Sequence, residues 1–523
     1  MEHSLMWQVM VFVYLGILVL MGILLRKRTK NLTDYVISGK QVSGSLVAVV
    51  LLATMIGPAA YIGYAQFSYQ IGVSAAWIPW AVKWSDILMI ALFIPALARV
   101  ARISPLGQTF EERFDVKTRL VVWLPYTIWM IVGIGTCFLG LGIVFEHFLG
   151  MSQTYGILLA FIVALSYTIV AGTWGVIYTD LIQAFVALIA VCIAIPVIWQ
   201  AAGGISAAVN QVPSYYFNPF SIGEMKILVM SLSFAFATSV VSWRTPFMSK
   251  SPRECVKGYT IYFLLAVPIT LSLIALGIFG RVAFPGIEPA QVTPTLFTTL
   301  FPPMIAGFLI VMLVGSLTAS ADDGMICASA VITEDIYKRF VRPTATERHY
   351  LRFARLVTIL ISSLSLAAAL LVPVIVPLLK IGFTVAGGAL FIPAAAMFLW
   401  PRMTTPAAFW SILISAVAII IATVINTPID PILIGLTISL ILTISISLLT
   451  KPEYEKVFKF ARIYGNSKLE KKAAQSLASQ GKEVEMPPLH EGLAPEYRPS
   501  KWFVISLVAY SCVLLSLFFF IWR

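Results

Sequence analysis

Apolar residues run along this chain in blocks, separated by short segments that hold most of the Lys and Arg. A helix needs roughly 20 such residues to cross about 30 Å of hydrocarbon, and the short alternating pattern of a membrane barrel is missing. The pattern predicts an all-α polytopic membrane protein with about 14 transmembrane helices, one per block by the same length rule. The blocks are Leu5–Leu25, Ser45–Tyr69, Trp77–Leu97, Leu120–Phe148, Tyr155–Val170, Val176–Trp199, Ile227–Trp243, Tyr259–Phe279, Met304–Ile332, Leu356–Leu379, Phe383–Leu399, Ala407–Val424, Ile432–Leu449 and Trp502–Ile521. A turn at Ala171–Trp174 is expected to separate the fifth from the sixth.

Basic clusters fix the expected orientation. Arg26–Arg28, the Arg99–Arg119 region, Arg244–Lys257 and Lys338–Arg355 fall in alternate connections, whereas Ala201–Met225 has no Lys or Arg. The positive-inside rule then puts the N-terminus outside and the polar 451–500 segment in the cytoplasm. The first span lacks a small-residue cleavage site and reads as retained. With Lys468, Lys471, Lys472 and Lys482 set against Glu470, Glu483 and Glu485, 451–500 reads as a solvated linker.

Composition supports the class and excludes others. Of 523 residues 59% are hydrophobic and 11% charged, and mean hydropathy is +0.91, far from soluble domains. The net charge of +12 is explained by topology, and no basic-aromatic cluster points to nucleic acid. Five cysteines without CxxC spacing imply neither disulfides nor structural zinc. The four histidines, His3, His147, His349 and His490, sit at ends or in loops, and no HExxH, GxSxG or P-loop motif occurs, so an enzyme is not expected.

Candidate chemistry lies at membrane depth, where ionisable groups need a partner, water or an ion path. Asp322 and Asp323 stand side by side in the run Gly315–Gly324. Lys83 and Asp86, at i and i+3, lie on one helix face and can pair with each other. Either they form a buried structural pair, or Lys83 faces a central cavity and meets the carboxylate of an organic acid or amino acid. Tyr61, Gln66 and Trp80 are candidates to line the same cavity. The run Ala53–Pro58, through its Gly and Pro, interrupts the second span, and the small and polar run Ala235–Ser239 lies at the corresponding place in the second half. Paired interruptions of this kind mark the broken helices of transporters.

Four segments, in order, resemble the sodium/solute symporter family: Asp34–Gly39, Gln108–Phe114, Gly172–Gln183 and Thr333–Lys338. The resemblance covers most of Asp34–Thr405. It implies a leucine-transporter-like fold of two inverted five-helix repeats, with repeats at 43–202 and 203–401. The first helix and its loop, 1–42, precede them. Peripheral helices at 402–450, the polar segment 451–500 and a last helix at 501–523 follow.

Carried over by position, the resemblance implies a main Na+ site with backbone carbonyls of Ala53, Ile56 and Ser316 and the pair Ala319 and Ser320, of which Ala319 lacks the usual hydroxyl. It also implies a second ion or proton site at Asp180, Asp322 and Asp323, whose three carboxylates a cation, a shared proton or Lys83 must offset. Ala60, where sugar-transporting relatives tend to have a polar residue, argues against a sugar. The expected function is a plasma-membrane symporter in which Na+ entry drives uptake of a small polar solute, with lipid as its other contact. Alternatives are H+ coupling, motivated by Ala319 and the surplus of Asp, and a membrane sensor that keeps the transporter fold.

Overall fold

In a computed structural model the described residues are 4–25, 40–56, 59–100, 105–201, 203–204, 210–480 and 497–521. The basic cluster Arg26–Arg28, the motif Asp34–Gly39, the Gly57-Pro58 pair and Lys482, Glu483 and Glu485 lie outside them. Among the described residues the secondary structure is helical, apart from a single bridge between Val42 and Ser249. Ten helices among the described residues are long and apolar enough to cross a membrane, and shorter apolar stretches accompany them: Leu5–Met21, Gly44–Met55, and Gln153–Ser166 and Cys192–Ala201, the two ends of one longer helix. The count of about 14 crossings is therefore not reproduced one for one.

Helix α1 (Ser4–Leu25) is followed by α2 (Gly44–Met55), which stops at Ile56, where φ −96° and ψ 55° leave the helical region. The chain becomes helical again at Ala59, as a π-helical turn to Tyr64 and then α3 (Ala65–Ile71). Gly72, at φ +65°, turns it toward α4 (Trp77–Leu88), which continues through a π-helical turn into α5 (Ile94–Leu97). Next come α6 (Pro105–Arg113), α7 (Val116–Leu149) and α8 (Gln153–Ala201).

The turn expected at Ala171–Trp174 is absent: α8 is helical through all 49 residues. That is about 74 Å at 1.5 Å per residue, more than one crossing needs. No Pro stands between Gln153 and Ile195 to force a stop, and one Gly in a helix costs only about 1 kcal/mol.

The second half opens with α9 (Glu224–Val241). Its run Ala235–Ser239 is helical, and the interruption comes at Ser242-Trp243 before α10 (Arg244–Met248). The shift has a local cause. Ser239 Oγ donates back to Phe236 O at 2.8 Å, so its hydroxyl is satisfied within the helix, and the buried Trp243 folds over it, Nε1 to Ser239 O at 2.9 Å.

There follow α11 (Pro252–Ala283), α12 (Val292–Leu300), α13 (Pro303–Ile332, prolonged by a π-helical stretch to Val341), α14 (Glu347–Leu371) and α15 (Ile375–Leu399). Helices α16 (Thr405–Val424) and α17 (Pro431–Leu449) pack against each other and α15. Their facing surfaces carry the buried small residues Ser411, Ser415, Gly435 and Ser439, which allow close approach in lipid. In the centre, α2 packs on α11, α8 and α13, while α9 packs on α15 and α4.

The described part of the segment read as a solvated linker is mostly helical. Helices α18 (Tyr454–Ile463) and α19 (Ser467–Ala478) bury Val457, Phe460 and Tyr464, and Leu469, Ala473 and Leu477. Tyr464 Oη donates to Glu112 Oε2 at 2.8 Å, and Asn466 Nδ2 to Phe398 O at 2.7 Å. The hairpin is thus strapped to α6 and the end of α15. A last helix, α20 (Lys501–Ile521), packs on α4 and α11.

Two of the motifs behind the family resemblance meet on the face of the basic loops. Arg119 at the start of α7 pairs with Asp335 and, at 2.6 Å, with Glu111. Arg339 reaches Glu111 at 2.5 Å. The segments Gln108–Phe114 and Thr333–Lys338 thereby clamp α6, α7 and the end of α13 together. Arg113, fully buried, donates Nη2 to Met403 O at 2.9 Å. Burial pulls its guanidinium down to about 10, against the opposing charge of Glu453.

Candidate ion seam and central cavity

Where α2 breaks, its last carbonyls lose their intrahelical donors and need other partners. Helix α13 supplies them. Ser316 Oγ donates to Ile56 O at 2.5 Å, and Ser320 Oγ to Thr54 O at 2.8 Å and to Ser316 O at 3.3 Å. Oxygens from α13 and its broken neighbour therefore converge: Thr54 O, Ile56 O, Ser316 O, Ser316 Oγ and Ser320 Oγ. An all-oxygen set of neutral carbonyls and hydroxyls suits a hard cation.

Of the residues singled out for this site, Ile56, Ser316 and Ser320 are in direct contact. Ala53 and Ala319 are buried at the same seam, and Ala319 adds no side-chain oxygen. Sequence reasoning missed Thr54. The signal was available, since Thr54 is the one hydroxyl residue between Ala53 and Ile56.

The three carboxylates do not meet. Successive residues on a helix are rotated by about 100°, so Asp322 and Asp323 leave α13 on different sides. Asp322 faces α8, where Thr168 Oγ1 donates to its Oδ1 at 3.2 Å and Asp180 lies within electrostatic range. Both carboxylates are fully buried, and neither oxygen of Asp180 has a hydrogen-bond partner among the described residues. Beside them, Gln183 Nε2 donates to Tyr14 Oη at 2.8 Å and to Thr318 Oγ1 at 3.4 Å, which ties α1 to the pair. Asp323 turns the other way and forms an ion pair with Arg244 of α10.

That second side is a cavity of about 150 Å3. Thr54 and Ser320 line it, so the ion seam forms part of its wall, as does Asp323. Aromatic rings supply much of the rest: Phe383 lies 4.9 Å from Phe234, centroid to centroid, and 6.5 Å edge-on from Trp129. Three residues of the wall, Trp129, Thr238 and Ser242, carry a polar atom (Nε1, Oγ1 and Oγ) that is buried without a hydrogen-bond partner among the described residues. Such groups are costly unless something binds them.

Phe234 also lines a larger cleft of about 790 Å3 on the face opposite the basic loops. This cleft carries Lys226, Lys380 and Asp430 at its rim, with Lys380 Nζ 2.7 Å from Asp430 Oδ2. Phe234 is common to the linings of the cleft and the inner cavity.

The residues proposed from sequence as substrate contacts are placed elsewhere. Lys83 Nζ binds Asp86 Oδ2 at 2.8 Å and Tyr262 Oη of α11 at 2.5 Å, 4.0 Å above the Tyr262 ring centroid. Lys83 and Asp86 are both buried, and neither lines the cavity. Tyr61 is buried under α12, where Thr293 Oγ1 donates to its carbonyl at 2.8 Å. Trp80 lines a groove between α4 and α9 beside Trp84, and Gln66 lies off the cavity with its Oε1 unpartnered among the described residues. Tyr64 and Val82, which sequence reasoning passed over, are on the cavity wall instead.

Residues 35–415 match the Sodium:solute symporter family. The chain is 24% identical over 432 residues to the high-affinity proline transporter PutP of Bacillus subtilis, covering 77% of this chain and 89% of that one. It is 24% identical over 364 residues to the sodium/pantothenate symporter of Haemophilus influenzae, covering 66% and 75%. Among solved structures, a Na+-coupled sialic acid symporter in a substrate-bound, outward-open state superposes with a TM-score of 0.74 at 21% identity, over 85% of this chain and 98% of that one. At that identity the superposition carries the fold, a leucine-transporter-like bundle.

Proposed function

The chain belongs to the sodium:solute symporter family, and on that basis we propose that it couples Na+ influx to uptake of a small, carboxylate-bearing organic solute, an organic acid or amino acid. It is a multi-pass membrane transporter and not an enzyme. One observation carries the finer reading: Ser320 belongs both to the oxygen seam at the break of α2 and to the wall of the central cavity. Proline, pantothenate and sialic acid, the solutes named for the relatives, all carry a carboxylate, which supports that choice of class.

In this reading Na+ binds among Thr54 O, Ile56 O and the hydroxyls of Ser316 and Ser320, in reach of a solute carboxylate in the cavity. Trp129 Nε1, Thr238 and Ser242 donate to that carboxylate. The Na+ moves down an electrochemical gradient worth about 2.3 kcal/mol per charge per 100 mV before the concentration term. Ion occupancy holds the broken helix against α13 and favours the substrate-competent state, and loss of the ion inside reverses the bias. The N-terminus is outside, and the 790 Å3 cleft is the entry vestibule.

The test is Na+ binding to the purified protein, read by tryptophan fluorescence and thermal stability at fixed ionic strength with choline as control. A Na+-specific rise that Ser320→Ala weakens by about 10- to 100-fold is expected, taking the loss of one oxygen ligand to the ion as comparable to the loss of a hydrogen bond to a charged group, roughly 1.5–3 kcal/mol. No Na+ response in the wild type overturns the reading.

A second reading, H+ coupling, is favoured by Asp180 and Asp322, two fully buried carboxylates within electrostatic range of each other, whose mutual repulsion is relieved when one of them binds a proton. It requires a response to pH without one to Na+, lost in Asp322→Asn.

A further inference from the structure

The charge on the cavity wall selects among the solutes this site could take. Asp323 is the one charged side chain that lines it among the described residues, and its carboxylate is a quarter exposed. Its partner Arg244 lies behind it, 5% exposed and outside the lining. A solute in the cavity therefore meets a carboxylate and not a guanidinium. A purely anionic solute finds no counter-charge exposed on that side.

The rest of the wall fits the same conclusion. Rings of Trp129, Phe234 and Phe383 line the cavity, and an aromatic lining attracts a cation that reaches a ring face. The hydrogen-bonding atoms left over, Trp129 Nε1, Thr238 Oγ1 and Ser242 Oγ, include an obligate donor and two hydroxyls, a set suited to an anionic oxygen. The volume, about 150 Å3, is below the roughly 300–1,000 Å3 of drug-sized pockets, so the solute is small.

Building on the symporter reading, we infer that the transported solute is a small zwitterion whose protonated amino group is received by Asp323 in the aromatic cavity, with its carboxylate on Trp129, Thr238, Ser242 and the Na+ seam. Asp323 is thereby a specificity-determining residue. It separates amino acids from organic acids of the same shape.

The experiment uses the full-length protein in detergent with saturating Na+. Binding of the twenty common L-amino acids and of their deaminated counterparts, such as propanoate for alanine and cyclopentanecarboxylate for proline, is read by calorimetry and tryptophan quenching. At least one amino acid should bind, with its deaminated counterpart weaker by tenfold or more. Asp323→Asn removes the ion-pair partner that balances Arg244 at the cavity wall, so the charge-balanced double variant Asp323→Asn with Arg244→Gln is tested beside it, with the Na+-induced thermal shift as the check on folding. In the double variant the discrimination should fall to within about threefold.

A deaminated acid that binds as tightly as its amino acid overturns the proposal. So does discrimination that survives in a double variant with a normal Na+ shift, and so does a panel in which no amino acid binds. A wild type without any Na+ shift strikes at the symporter reading instead, which keeps the two failures apart.

Discussion

Lys83 is where a role in the fold and a role in transport make opposite predictions. The residue is 2% exposed, its ammonium held by Asp86 at 2.8 Å and by Tyr262 at 2.5 Å. Replacing Lys83 by Met leaves the Asp86 carboxylate, itself 3% exposed, without its counter-charge. Breaking one side of such a pair costs about 3–5 kcal/mol, whereas exchanging both members for apolar residues of similar size is neutral or stabilising. Against a total stability of roughly 5–15 kcal/mol, Lys83→Met should unfold readily and Lys83→Met with Asp86→Leu should recover wild-type resistance. Denaturant unfolding in detergent, followed by tryptophan fluorescence, measures both variants. Na+-dependent solute uptake into vesicles, normalised to folded protein, should show the double variant with KM within about threefold of wild type. A Lys83→Met protein that is as stable as wild type but has lost solute affinity refutes the structural role.

Two further outcomes test the surroundings of the site. A Cβ added at Gly315 would stand 2.7 Å from Tyr14 Oη and 3.1 Å from Gln183 Cγ, so Gly315→Ala should destabilise by about 1–3 kcal/mol through overpacking; adding Tyr14→Phe should restore part of that in the same unfolding assay, and no recovery would place the strain elsewhere. For Glu453, burial raises the carboxyl's pKa, but hydrogen bonds from Lys456 and from the side chain and backbone of Thr405, with the Lys456 charge, more than offset it and hold the group below its ordinary 4.5. Its folded value is depressed, so the stability it contributes is present above pH 4.5 and is lost as pH falls through the folded value. Glu453→Gln should flatten that acid limb of a thermal-stability profile and leave the neutral-to-alkaline limb parallel to wild type.

The helical class and the family were legible because they rest on long apolar blocks and on short motifs that the fold uses locally. The segments Gln108–Phe114 and Thr333–Lys338 hold each other through Glu111, Asp335 and the arginines between them. The oxygen seam was legible in part, since Ile56, Ser316 and Ser320 follow from position in the resemblance. What the chain order does not encode is which neighbour a helix face meets. The i,i+3 spacing announced the Lys83–Asp86 pair, yet Tyr262, 179 residues away, decides that the pair faces α11 rather than the cavity. Likewise adjacency in sequence suggested that Asp322 and Asp323 act together, while helix rotation sends one to Asp180 and the other to Arg244. The docked hairpin was misread for its charge. The spacing of Leu469, Ala473 and Leu477 is an apolar stripe at four-residue intervals, the mark of a helix with one buried face.

Coupling in this reading needs no long pathway, because ion and solute share a wall. The hydroxyls of Ser316 and Ser320 donate to the carbonyls of Ile56 and Thr54. A bound Na+ competes for those carbonyls and for the hydroxyl lone pairs, so both protons must turn away, and Ser320 does so at the surface of the cavity. Each ligand then changes the environment of the other, and linkage makes the effect reciprocal. Ala319 sharpens the point: with no second hydroxyl at that position, the missing oxygen has to come from Thr54, water or the solute itself. If the solute carboxylate supplies it, Na+ affinity rises with solute bound, and strict coupling follows from an incomplete ion site.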